Sequence, residues 1–430
     1  MLRRFMHFVY LKRLFACLAI YYISETVIGL RGYWMYKHGF RVVNSTGIFK
    51  DMQPKDVFQL VANDVEMIVY AAYYDERIHK VRVIGVSKIK YATVHCLMSY
   101  ASQFESIHNE ATVVLIQDHK NLTYNVAFIL CELYRLDVPE AVSILKGSSS
   151  EKASNILPVR RKQTNHHDRM FSLCLSPLHS RFNDKLKLVE WIELNMILGV
   201  DKIIVYVQNC SNDVMQTLKI YESKGAVDIM NWSLPKDITN KRKKNLHYYG
   251  QLAAINDCLY RNRGLSLYTA AFDIDEYIIP QLDEDVTWLD MLSRLPKANA
   301  YIFRNSFFLR NETGKFISQM PITTANFRRE NFIYWPRRRS KFIARTDAIY
   351  TTDIHFIREM NGNQHAVDPN IGLLHHYRVR IPNHNETEGQ SSNRKDDIQR
   401  KYDEELTVTN EATKKYSQIL HKSMTWILDK

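Results

Sequence analysis

The stretch Leu265–Pro280 reads LSLYTAAFDIDEYIIP, and it decides the fold. Its apolar first half, Leu265–Phe272, ends abruptly in three carboxylates, Asp273, Asp275 and Glu276. The run is short, carries aromatic and β-branched residues and follows a glycine, so it predicts a buried strand rather than a helix. Carboxylates at the carboxyl end of a buried strand lie where open α/β sheets bind their ligands.

The spacing of the first two carboxylates indicates a binding site. Asp273 and Asp275 are two residues apart, so a regular strand presents both on one face. Converging carboxylates repel each other unless a cation or a proton intervenes. Mg²⁺ and Mn²⁺ take oxygen ligands of this kind and bridge them to diphosphates. A second pair, Asp283 and Asp285, has polar neighbours and is interpreted as part of a solvated loop.

Residues around this stretch alternate between strand and helix patterns. Asp184–Leu198 and His247–Tyr260 carry apolar residues at helical spacing, and short β-branched runs separate the helices. This alternation predicts an α/β fold with a doubly wound, mostly parallel sheet. The chain has neither a dinucleotide-binding fingerprint nor a Walker loop. A nucleotide bound here would need another phosphate holder, and a cation on Asp273 and Asp275 would serve.

The region before this sheet has a different pattern. Residues 64–145 are rich in β-branched and aromatic residues, which predicts an N-terminal accessory region of antiparallel strands. Lys146–Thr164 is rich in Ser, Lys and Arg and is interpreted as a linker. We therefore predict a β-rich accessory region with linker over 64–164.

The amino terminus carries a basic flank followed by an apolar segment, Leu14–Leu30. Three interpretations compete: a signal anchor, a cleaved signal peptide or a core helix. We favour a type II signal anchor because no clear small-residue cleavage site follows the segment. The basic flank, residues 1–13, would then be a cytoplasmic tail, 31–63 a stem and the rest lumenal. Six N-glycosylation sequons agree with a lumenal chain: Asn44, Asn121, Asn209, Asn231, Asn311 and Asn385.

Composition bounds the function further. The chain has 430 residues, of which 46% are hydrophobic, enough for two or three folded domains. Its net charge of +12 is scattered, and no known nucleic-acid-binding module is present, so we expect no nucleic-acid partner. Five cysteines follow the apolar segment, so at least one is free or paired with another chain. Their spacing excludes a structural zinc site.

Four motifs in this order resemble those of glycosyltransferase family 92. They are LVEWIELNMILGVDKIIVY from Leu188, QLAAINDCLY from Gln251, FDIDEYIIP from Phe272 and LLHHYR from Leu373. The resemblance also includes AYYDER at Ala72–Arg77. It implies a type II Golgi membrane protein with a glycosyltransferase-A-like catalytic domain, here 165–385. It further implies transfer of galactose from UDP-galactose, with inversion, to fucose on N-glycan cores. We predict a C-terminal helical tail over 386–430, beyond the resemblance.

The resemblance also implies roles for individual residues. Asp273 and Asp275 match the motif that binds the metal and the nucleotide sugar. His376 and Arg378 match the late H-Y-R motif, as a third metal ligand and as a donor-binding residue. His375 directly precedes this motif. On a strand, His375 and His376 face opposite ways, so only one of them faces the cation.

The chemistry of sugar transfer fits these residues independently. Cleaving a sugar–diphosphate bond leaves negative charge on UDP, which a divalent cation such as Mn²⁺ or Mg²⁺ and nearby Lys or Arg stabilise. Inversion also needs a general base on the acceptor hydroxyl. The candidates are Glu276, Asp347, Asp353 and Glu359, of which we retain Glu276 and Asp353 as catalytic.

Two features near residue 335 receive structural interpretations. Tyr334 and Trp335 could stack on a sugar, but core packing is favoured. The run Arg337–Arg339 is interpreted as a solvated loop face, placed late enough to flank a diphosphate.

Three function classes therefore remain. The first and favoured class is a metal-dependent, inverting glycosyltransferase with a UDP-sugar donor and a glycan acceptor. The second is a glycosidase, which needs two carboxylates on separate strand ends, about 5 to 9 Å apart. The third is a glycan- or nucleotide-sugar-binding protein of the secretory pathway on an inactive transferase scaffold.

Overall fold

The computed structural model describes residues 41–44, 57–100, 105–116, 122–147, 153–162, 166–239, 245–310, 321–379 and 407–429. The predicted tail and signal anchor, residues 1–30, lie outside this set, as does most of the stem. Within these ranges, no helix combines the length and the hydropathy needed to cross a membrane. The chain divides into two compact units, mainly 59–115 with 127–160, and 116–126 with 161–430.

The first unit is built on a ten-stranded sheet. Its strands are β1 (Arg41–Asn44), β2 (Gln59–Val61), β3 (Asp64–Asp75), β4 (Lys80–Lys88), β5 (Val94–Ser99), β6 (Glu105–Glu110), β7 (Thr112–Ile116), β8 (Tyr124–Glu132), β9 (Ala141–Lys146) and β10 (Leu157–Arg160). They follow the order β1-β6-β5-β9-β10-β3-β4-β8-β7, and β2 pairs with β3. Strand β10 lies inside the predicted linker, parallel to β3 and antiparallel to β9.

One buried apolar cluster and one disulfide hold this unit together. Cys96 on β5 is bonded to Cys131 on β8. At the end of β3, the fully buried Asp75 accepts from the Arg77 guanidinium at 2.7 Å and lies 3.7 Å from that of Arg82. Within the AYYDER motif, Asp75 is thus a buried anion paired with arginine.

In its described residues, the second unit contains fourteen further strands and seven α-helices. The strands are β11 (Arg169–Leu178), β12 (Lys202–Val207), β13 (Val227–Asn231), β14 (Ser266–Phe272), β15 (Glu276–Pro280), β16 (Ala300–Phe303), β17 (Asn305–Arg310), β18 (Arg328–Glu330), β19 (Lys341–Arg345), β20 (Ile349–Thr352), β21 (Ile357–Met360), β22 (Gln364–Ala366), β23 (Gly372–Val379) and β24 (Thr407–Thr409). The helices are α1 (Lys185–Ile197), α2 (Asn212–Ser223), α3 (Lys236–Thr239), α4 (Gln251–Arg261), α5 (Trp288–Ser293), α6 (Ile322–Ala325) and α7 (Ser417–Leu428).

A seven-stranded sheet with the order β13-β12-β11-β14-β19-β16-β22 forms the centre of this unit. Strands β13, β12, β11 and β14 are parallel, whereas β19 runs antiparallel to both of its neighbours. The chain leaves β11 toward β12 on one side and later returns to β14 on the other. The order therefore reverses between β11 and β14, and ligands of open α/β sheets bind at such a point. The α/β class with several sheets is confirmed.

A second sheet, β15-β23-β17-β18-β24, carries the late histidines. Strand β23 runs antiparallel to β15, and this register sets His376 opposite Glu276 and His375 opposite Tyr277. Residues about a hundred positions apart in sequence therefore become neighbours across one strand pair.

Helix α1 forms as predicted and is capped at both ends. The Asp184 side chain accepts from the Lys187 backbone N–H at 2.9 Å, which satisfies one of the free donors of the first turn. The helix ends before Gly199, whose φ of +99° suits glycine. Its central Trp191 is fully buried in the core of the unit.

Helix α4 begins four residues later than the predicted His247–Tyr260. Tyr248 and Tyr249 have φ values of +36° and +53°, and Gly250 is left-handed as well, so the α-helical hydrogen-bond pattern starts only at Gln251. A disulfide between Cys174 on β11 and Cys258 then joins α4 to the sheet. Among the described cysteines, Cys210 is free. This agrees with the prediction that at least one of the five cysteines after the apolar segment has no partner within the chain.

Helix α7 belongs to the core of the second unit. Its residues Leu420, Met424 and Ile427 are buried in the same apolar cluster as Trp191, and the helix packs against α1. The predicted C-terminal tail thus contributes directly to the unit that holds the β14 carboxylates.

Candidate active site

The carboxylates Asp273, Asp275 and Glu276 form a tight turn between β14 and β15. The Trp191 indole Nε1 donates to the backbone oxygens of Asp273 at 3.1 Å and Glu276 at 3.2 Å. On the other side, the Tyr377 backbone N–H donates to the Asp275 carbonyl at 2.8 Å. The turn is therefore fixed by a core helix and by β23, as a preorganised site requires.

Asp273 is held from several sides. Its Oδ1 accepts from Gln251 Nε2 at 2.7 Å, and its Oδ2 lies 3.3 Å from the Lys341 ammonium. Gln251 also donates to the Ser176 hydroxyl at 2.7 Å, which ties β11 to β14 at the switch point. Burial opposes ionisation of Asp273, but the charge of Lys341 and the Ser176 hydrogen bond outweigh it and lower its pKa. Asp273 is therefore an anion with two fixed donors.

Lys341 is an internal cation at this point. Its ammonium is fully buried and lies 3.1 Å from Glu276 Oε2, so it bridges Glu276 and Asp273. Burial opposes its charge, but the two carboxylates raise its pKa. Glu276 is also buried, its Oε2 accepts from the Asp273 backbone N–H at 2.9 Å, and burial raises its pKa. Lys341 was not predicted from the sequence.

Asp275 and His376 form the exposed part of the site. His376 Nε2 lies 3.7 Å from Asp275 Oδ2, and His376 Nδ1 lies 3.5 Å from Glu276 Oε1. The Asp275 side chain is 31% exposed and that of His376 is 16% exposed. Burial opposes ionisation of Asp275, but the hydrogen bond and charge of His376 lower its pKa. Both side chains are thus open to a small ligand.

His375 has a different environment. Its ring is fully buried, stacks on Phe308 at a centroid distance of 4.0 Å and lies 3.1 Å from Gln281 Nε2. Burial lowers its pKa well below the usual value, so it is a neutral core residue. The structure therefore brings His376, and not His375, beside Asp275.

The predicted metal ligands are assembled only in part. Two ligands of one cation, each about 2.2 Å away, are separated by about 3 to 4.4 Å, and the Asp275–His376 distance of 3.7 Å falls in this range. Asp273 instead contacts Lys341 and Gln251. Within the described ranges, no group of three or more His, Cys, Asp or Glu residues has metal-binding geometry. A divalent cation here would have Asp275 and His376 as its protein ligands.

Of the retained catalytic candidates, Glu276 lies inside the site and Asp353 at its edge. The Glu276 side chain is 1% exposed and contacts Lys341 and His376 rather than open space. Asp353 lies between β20 and β21, paired with Arg358. The charges of Asp353, Lys341 and Asp273 all influence the pKa of His355. Burial is the main cause that lowers this pKa, to about 4. His355 is therefore a neutral imidazole beside the carboxylates, and it was not predicted.

The other base candidates lie elsewhere. Asp347 pairs with Lys162 at 3.0 Å and His167 at 3.1 Å. It follows β19 beyond Arg345, which pairs with Tyr268, so it lies near the opposite end of β14 from Asp273, about 20 Å away along the strand. Glu359 is exposed on β21. Neither approaches the turn.

Arg378 lies two residues beyond His376 on the same face of β23. Its guanidinium is 5.4 Å from the centre of the Phe307 ring, and Arg339 lies at the same distance from that ring. Phe307 in turn packs on His376 with a centroid distance of 4.7 Å. Two arginines thus flank the histidine through one aromatic ring, where they could neutralise a phosphate.

An aromatic stack lies at the carboxyl end of β11. His179 and Tyr249 stack with centroids 4.3 Å apart and planes within 24°. Tyr249 immediately precedes Gly250 and Gln251, so this stack adjoins the residue that holds Asp273. The backbone here is strained, since Ser180, Arg181, Tyr248 and Tyr249 all have positive φ. Strain of this kind is concentrated at ligand-binding sites.

Two sequence interpretations need correction. Trp335 does not pack in the core, because its side chain is 66% exposed. Asp285 is not solvated either: it is fully buried and accepts from Arg294 Nε at 2.6 Å. Arg337–Arg339 is exposed, as expected of a solvated face.

Comparison with known proteins identifies the family of this chain. The profile of glycosyltransferase family 92 matches residues 169–424, more than half of the chain. The chain belongs to glycosyltransferase family 92. The resemblance drawn from the four motifs is thus confirmed, and the match contains every residue of the site described above.

Two curated proteins, both from Caenorhabditis elegans, are similar to this chain. Beta-1,4-galactosyltransferase galt-1 is 24% identical over 350 residues, which cover 74% of this chain and 76% of that protein. Glycosyltransferase family 92 protein F13G3.3 is 22% identical over 341 residues, covering 68% of this chain and 63% of that protein. The chain therefore spans less than two thirds of the second relative.

Among solved structures, the similarity is distant. S. aureus TarS 1–349 in complex with UDP-GlcNAc is 14% identical with a TM-score of 0.25, covering 52% of this chain and 62% of that one. The complex of the same protein with UDP gives 13% identity and a TM-score of 0.26, with coverage of 50% and 61%.

Proposed function

We propose that this family 92 glycosyltransferase moves a hexose from a UDP-sugar to a glycan acceptor, with Asp275 and His376 at the reacting diphosphate. The observation that carries this proposal is the partly exposed pair of Asp275, on the turn after β14, and His376, on β23, which lie 3.7 Å apart. The turn itself lies where the strand order reverses. A member of a glycosyltransferase family needs a site of this polarity to bind an activated sugar. No other cluster in the described ranges combines this position with exposed carboxylate and imidazole groups.

In this proposal the UDP-sugar lies along the sheet edge in one orientation. The diphosphate would lie between the Asp275–His376 pair and the arginines Arg339 and Arg378. The base would lie against the His179–Tyr249 stack, because every nucleobase has a flat face that stacks on aromatic rings. Asp273 lies between these two regions and is fixed by Gln251 and Lys341.

A divalent cation would be held by Asp275 and His376, and when bound it would supply neutralisation of the charge that develops on the leaving diphosphate. Arg339 and Arg378 add positive charge on the same side. Lys341 offsets the repulsion between Asp273 and Glu276 and so stabilises the turn.

The acceptor hydroxyl needs a base in an inverting reaction. Glu276 and Asp353 remain the candidates, and their environments differ. Burial raises the pKa of Glu276, which suits a base, but its carboxylate contacts Lys341 and His376. Asp353 lies on the β20–β21 hairpin at the edge of the site. The variants Glu276→Gln and Asp353→Asn separate them, because loss of the base lowers kcat without lowering the affinity for UDP.

Galactose is the first donor sugar to test, and β-linked galactose on fucose of N-glycan cores the first product. The support for galactose is the name of one relative, a β-1,4-galactosyltransferase that shares 24% identity. The fucose acceptor rests on the family resemblance alone. The fold itself does not select between hexoses.

We also propose that the chain acts in the Golgi lumen, anchored by the predicted segment 14–30. Two disulfides, Cys96–Cys131 and Cys174–Cys258, are typical of an oxidising compartment. The sequon residues Asn209 and Asn231 are exposed, as glycosylation requires. Treatment with an N-glycan-trimming glycosidase should increase the gel mobility of the cellular protein, and an unchanged mobility with cytosolic fractionation would refute this localisation.

One assay tests the activity directly. The purified chain is incubated with a panel of UDP-sugars, with and without Mn²⁺, and released UDP is measured. We expect release from one UDP-hexose, faster with Mn²⁺ and with a glycan present. UDP binding without turnover of any donor would support a binding protein instead, and hydrolysis of a simple glycoside without a nucleotide would support a glycosidase.

A further inference from the structure

Two large aromatic side chains are exposed on the segment that connects β18 to β19. Trp335 is 66% exposed and Phe332 is 54% exposed. Large aromatic rings normally contribute to a protein core, so two exposed rings on one short segment indicate a contact surface. They lie in the unit that holds the carboxylate turn, within the region matched by the family profile.

The segment is held rigidly despite its irregular backbone. The Tyr334 backbone N–H donates to the Asn305 carbonyl at 2.9 Å. The Arg304 guanidinium donates to the carbonyls of Tyr334 and Ile333, each at 2.9 Å. The Ser306 hydroxyl donates to the Phe332 carbonyl at 3.3 Å. Trp335 and Phe332 are thus presented by a fixed backbone, as binding residues are.

A chain of ring contacts joins this segment to the active site. The Phe332 and Tyr334 rings lie 5.0 Å apart, and Tyr334 lies 5.5 Å from Phe307. Phe307 packs on His376 at 4.7 Å. Phe332 is therefore joined to His376 by successive ring packing through Tyr334 and the buried Phe307, and Trp335 follows Tyr334 directly in the chain.

Two arginines pack against rings of this segment, one of them against the exposed Trp335. The Arg304 guanidinium lies 5.4 Å from the Trp335 ring centre, and Arg339 lies 5.6 Å from that of Tyr334. Arg337 and Arg339 have φ values of +70° and +60°, in the left-handed region that non-glycine residues rarely occupy. Strain at a surface turn persists when the surrounding structure imposes it, and it is concentrated at sites of function.

We propose that Trp335 and Phe332 form the subsite that binds the acceptor glycan. A pyranose ring has an apolar face for the indole and hydroxyls around its edge for the guanidinium groups. The inference rests on the proposed transferase activity, which requires a second sugar beside the donor. Ring packing from Phe332 through Tyr334 and Phe307 to His376 links this segment to the proposed diphosphate site.

The size of the surface favours a sugar over a protein partner. Two half-exposed aromatic side chains offer roughly 200 to 300 Å² of area. A stable protein interface needs about 800 Å² on each partner, and a second copy of this chain needs the same. A glycan of one to three residues matches the smaller area.

The test separates the acceptor from the donor. A printed array of N- and O-linked glycans is treated with isotopically labelled UDP-galactose, or the UDP-hexose found active above, and the glycan that the wild-type chain labels is then used for kinetics. We expect Trp335→Ala to raise KM for that glycan by about 5- to 30-fold. KM for the UDP-sugar and UDP release without acceptor should stay at wild-type values.

Two further variants complete the design. Trp335→Phe keeps an aromatic face and should recover most of the affinity for the glycan. Trp426→Ala removes an exposed tryptophan from α7, outside this surface, and should behave as wild type. Circular dichroism and the melting temperature of each variant exclude a general folding effect.

Each outcome of these experiments supports or refutes a named proposal. A wild-type chain that releases UDP from no donor refutes the proposed function. If the wild type releases UDP but labels no glycan, or if Trp335→Ala keeps the wild-type KM for the glycan, the subsite is refuted while the transferase stands. A wild-type dimer that Trp335→Ala makes monomeric would assign the surface to a second copy and overturn the inference.

Discussion

Replacing Lys341 by methionine tests the central electrostatic feature of the site. The Lys341 ammonium is fully buried and lies 3.3 Å from Asp273 and 3.1 Å from Glu276. Methionine has a similar length and no charge, so the change removes the cation and leaves the volume nearly filled. Two neighbouring carboxylates, one of them buried, then lose their common partner.

The magnitude follows from these distances. At an effective dielectric constant of about 20, each contact contributes a gross attraction of about 5 kcal/mol, from which the cost of desolvating the charges is subtracted. Removing one partner of a buried pair typically costs about 3 to 5 kcal/mol, because the remaining charge stays buried without compensation. We expect the free energy of unfolding of Lys341→Met to fall by this amount at pH 7.

Urea denaturation at several pH values provides the measurement. The matched control is Lys414→Met, since the Lys414 ammonium also lies 3.3 Å from a carboxylate, that of Glu411, but both side chains are exposed. An exposed pair is worth about 0 to 1 kcal/mol, so this control should be nearly silent. The double variant Lys341→Met/Glu276→Gln should regain part of the lost stability.

The sign of the pH dependence is a second check. Without the ammonium, the pKa of Glu276 rises further, so protonation relieves the repulsion. The stability difference between Lys341→Met and wild type should therefore shrink as pH falls from 7 toward 5. If Lys341→Met costs no more than Lys414→Met, or if its cost does not change with pH, the assignment of Lys341 as an internal counter-ion is wrong.

Two other predictions concern the site. Asp275→Asn and His376→Gln should each raise the Mn²⁺ concentration needed for half-maximal UDP release and lower turnover by about 10- to 100-fold, because each removes one of two protein ligands. Asp283→Asn, in the other acidic pair, should leave the Mn²⁺ requirement and the turnover unchanged. Equal effects of all three variants would refute the choice of Asp275 over Asp283. The pKa of His355 is about 4 in the folded chain, against an ordinary value of 6.5. As pH falls from about 6.5 to about 4, this histidine is therefore protonated in the unfolded chain before it is protonated in the folded one. The free energy of unfolding decreases by up to about 3 kcal/mol over that interval. His355→Gln should show a shallower loss of unfolding free energy over that interval, and an unchanged slope would contradict the depressed pKa of His355.

Local patterns predicted much of the second unit. The apolar spacing and N-cap of α1 lie in the sequence itself, and the strand predicted before Asp273 forms as β14. The choice of His376 over His375 also follows from alternation on β23 combined with the family motif. These features depend on residues close together in the chain, so a periodic pattern records them.

Long-range partners could not be predicted in this way. Lys341 reaches Asp273 because β19 inserts antiparallel beside β14, and nothing near Lys341 in sequence indicates that pairing. Its signal was a single lysine at the start of an apolar run. The late start of α4 has another cause: the periodic pattern continues through Tyr248 and Tyr249, but their left-handed backbone interrupts the helix.

The exposure of Trp335 illustrates the same limit of local patterns. A tryptophan between Tyr334 and Pro336 is equally compatible with a core and with a binding surface, and composition favours the core. Only the structure shows that the ring faces outward, because its side chain is 66% exposed. Arg304 and Asn305 fix the neighbouring backbone in this position.

The position of helix α7 has a practical consequence for producing the enzyme. A shortened chain that ends at residue 385 would keep every carboxylate and histidine of the site, yet it would remove the buried Leu420, Met424 and Ile427. The exposed face of α1 would then favour aggregation, and α1 is the helix whose Trp191 fixes the Asp273–Glu276 turn. Affinity tags at the carboxyl end should therefore follow residue 430, so that the last helix stays in its place against α1.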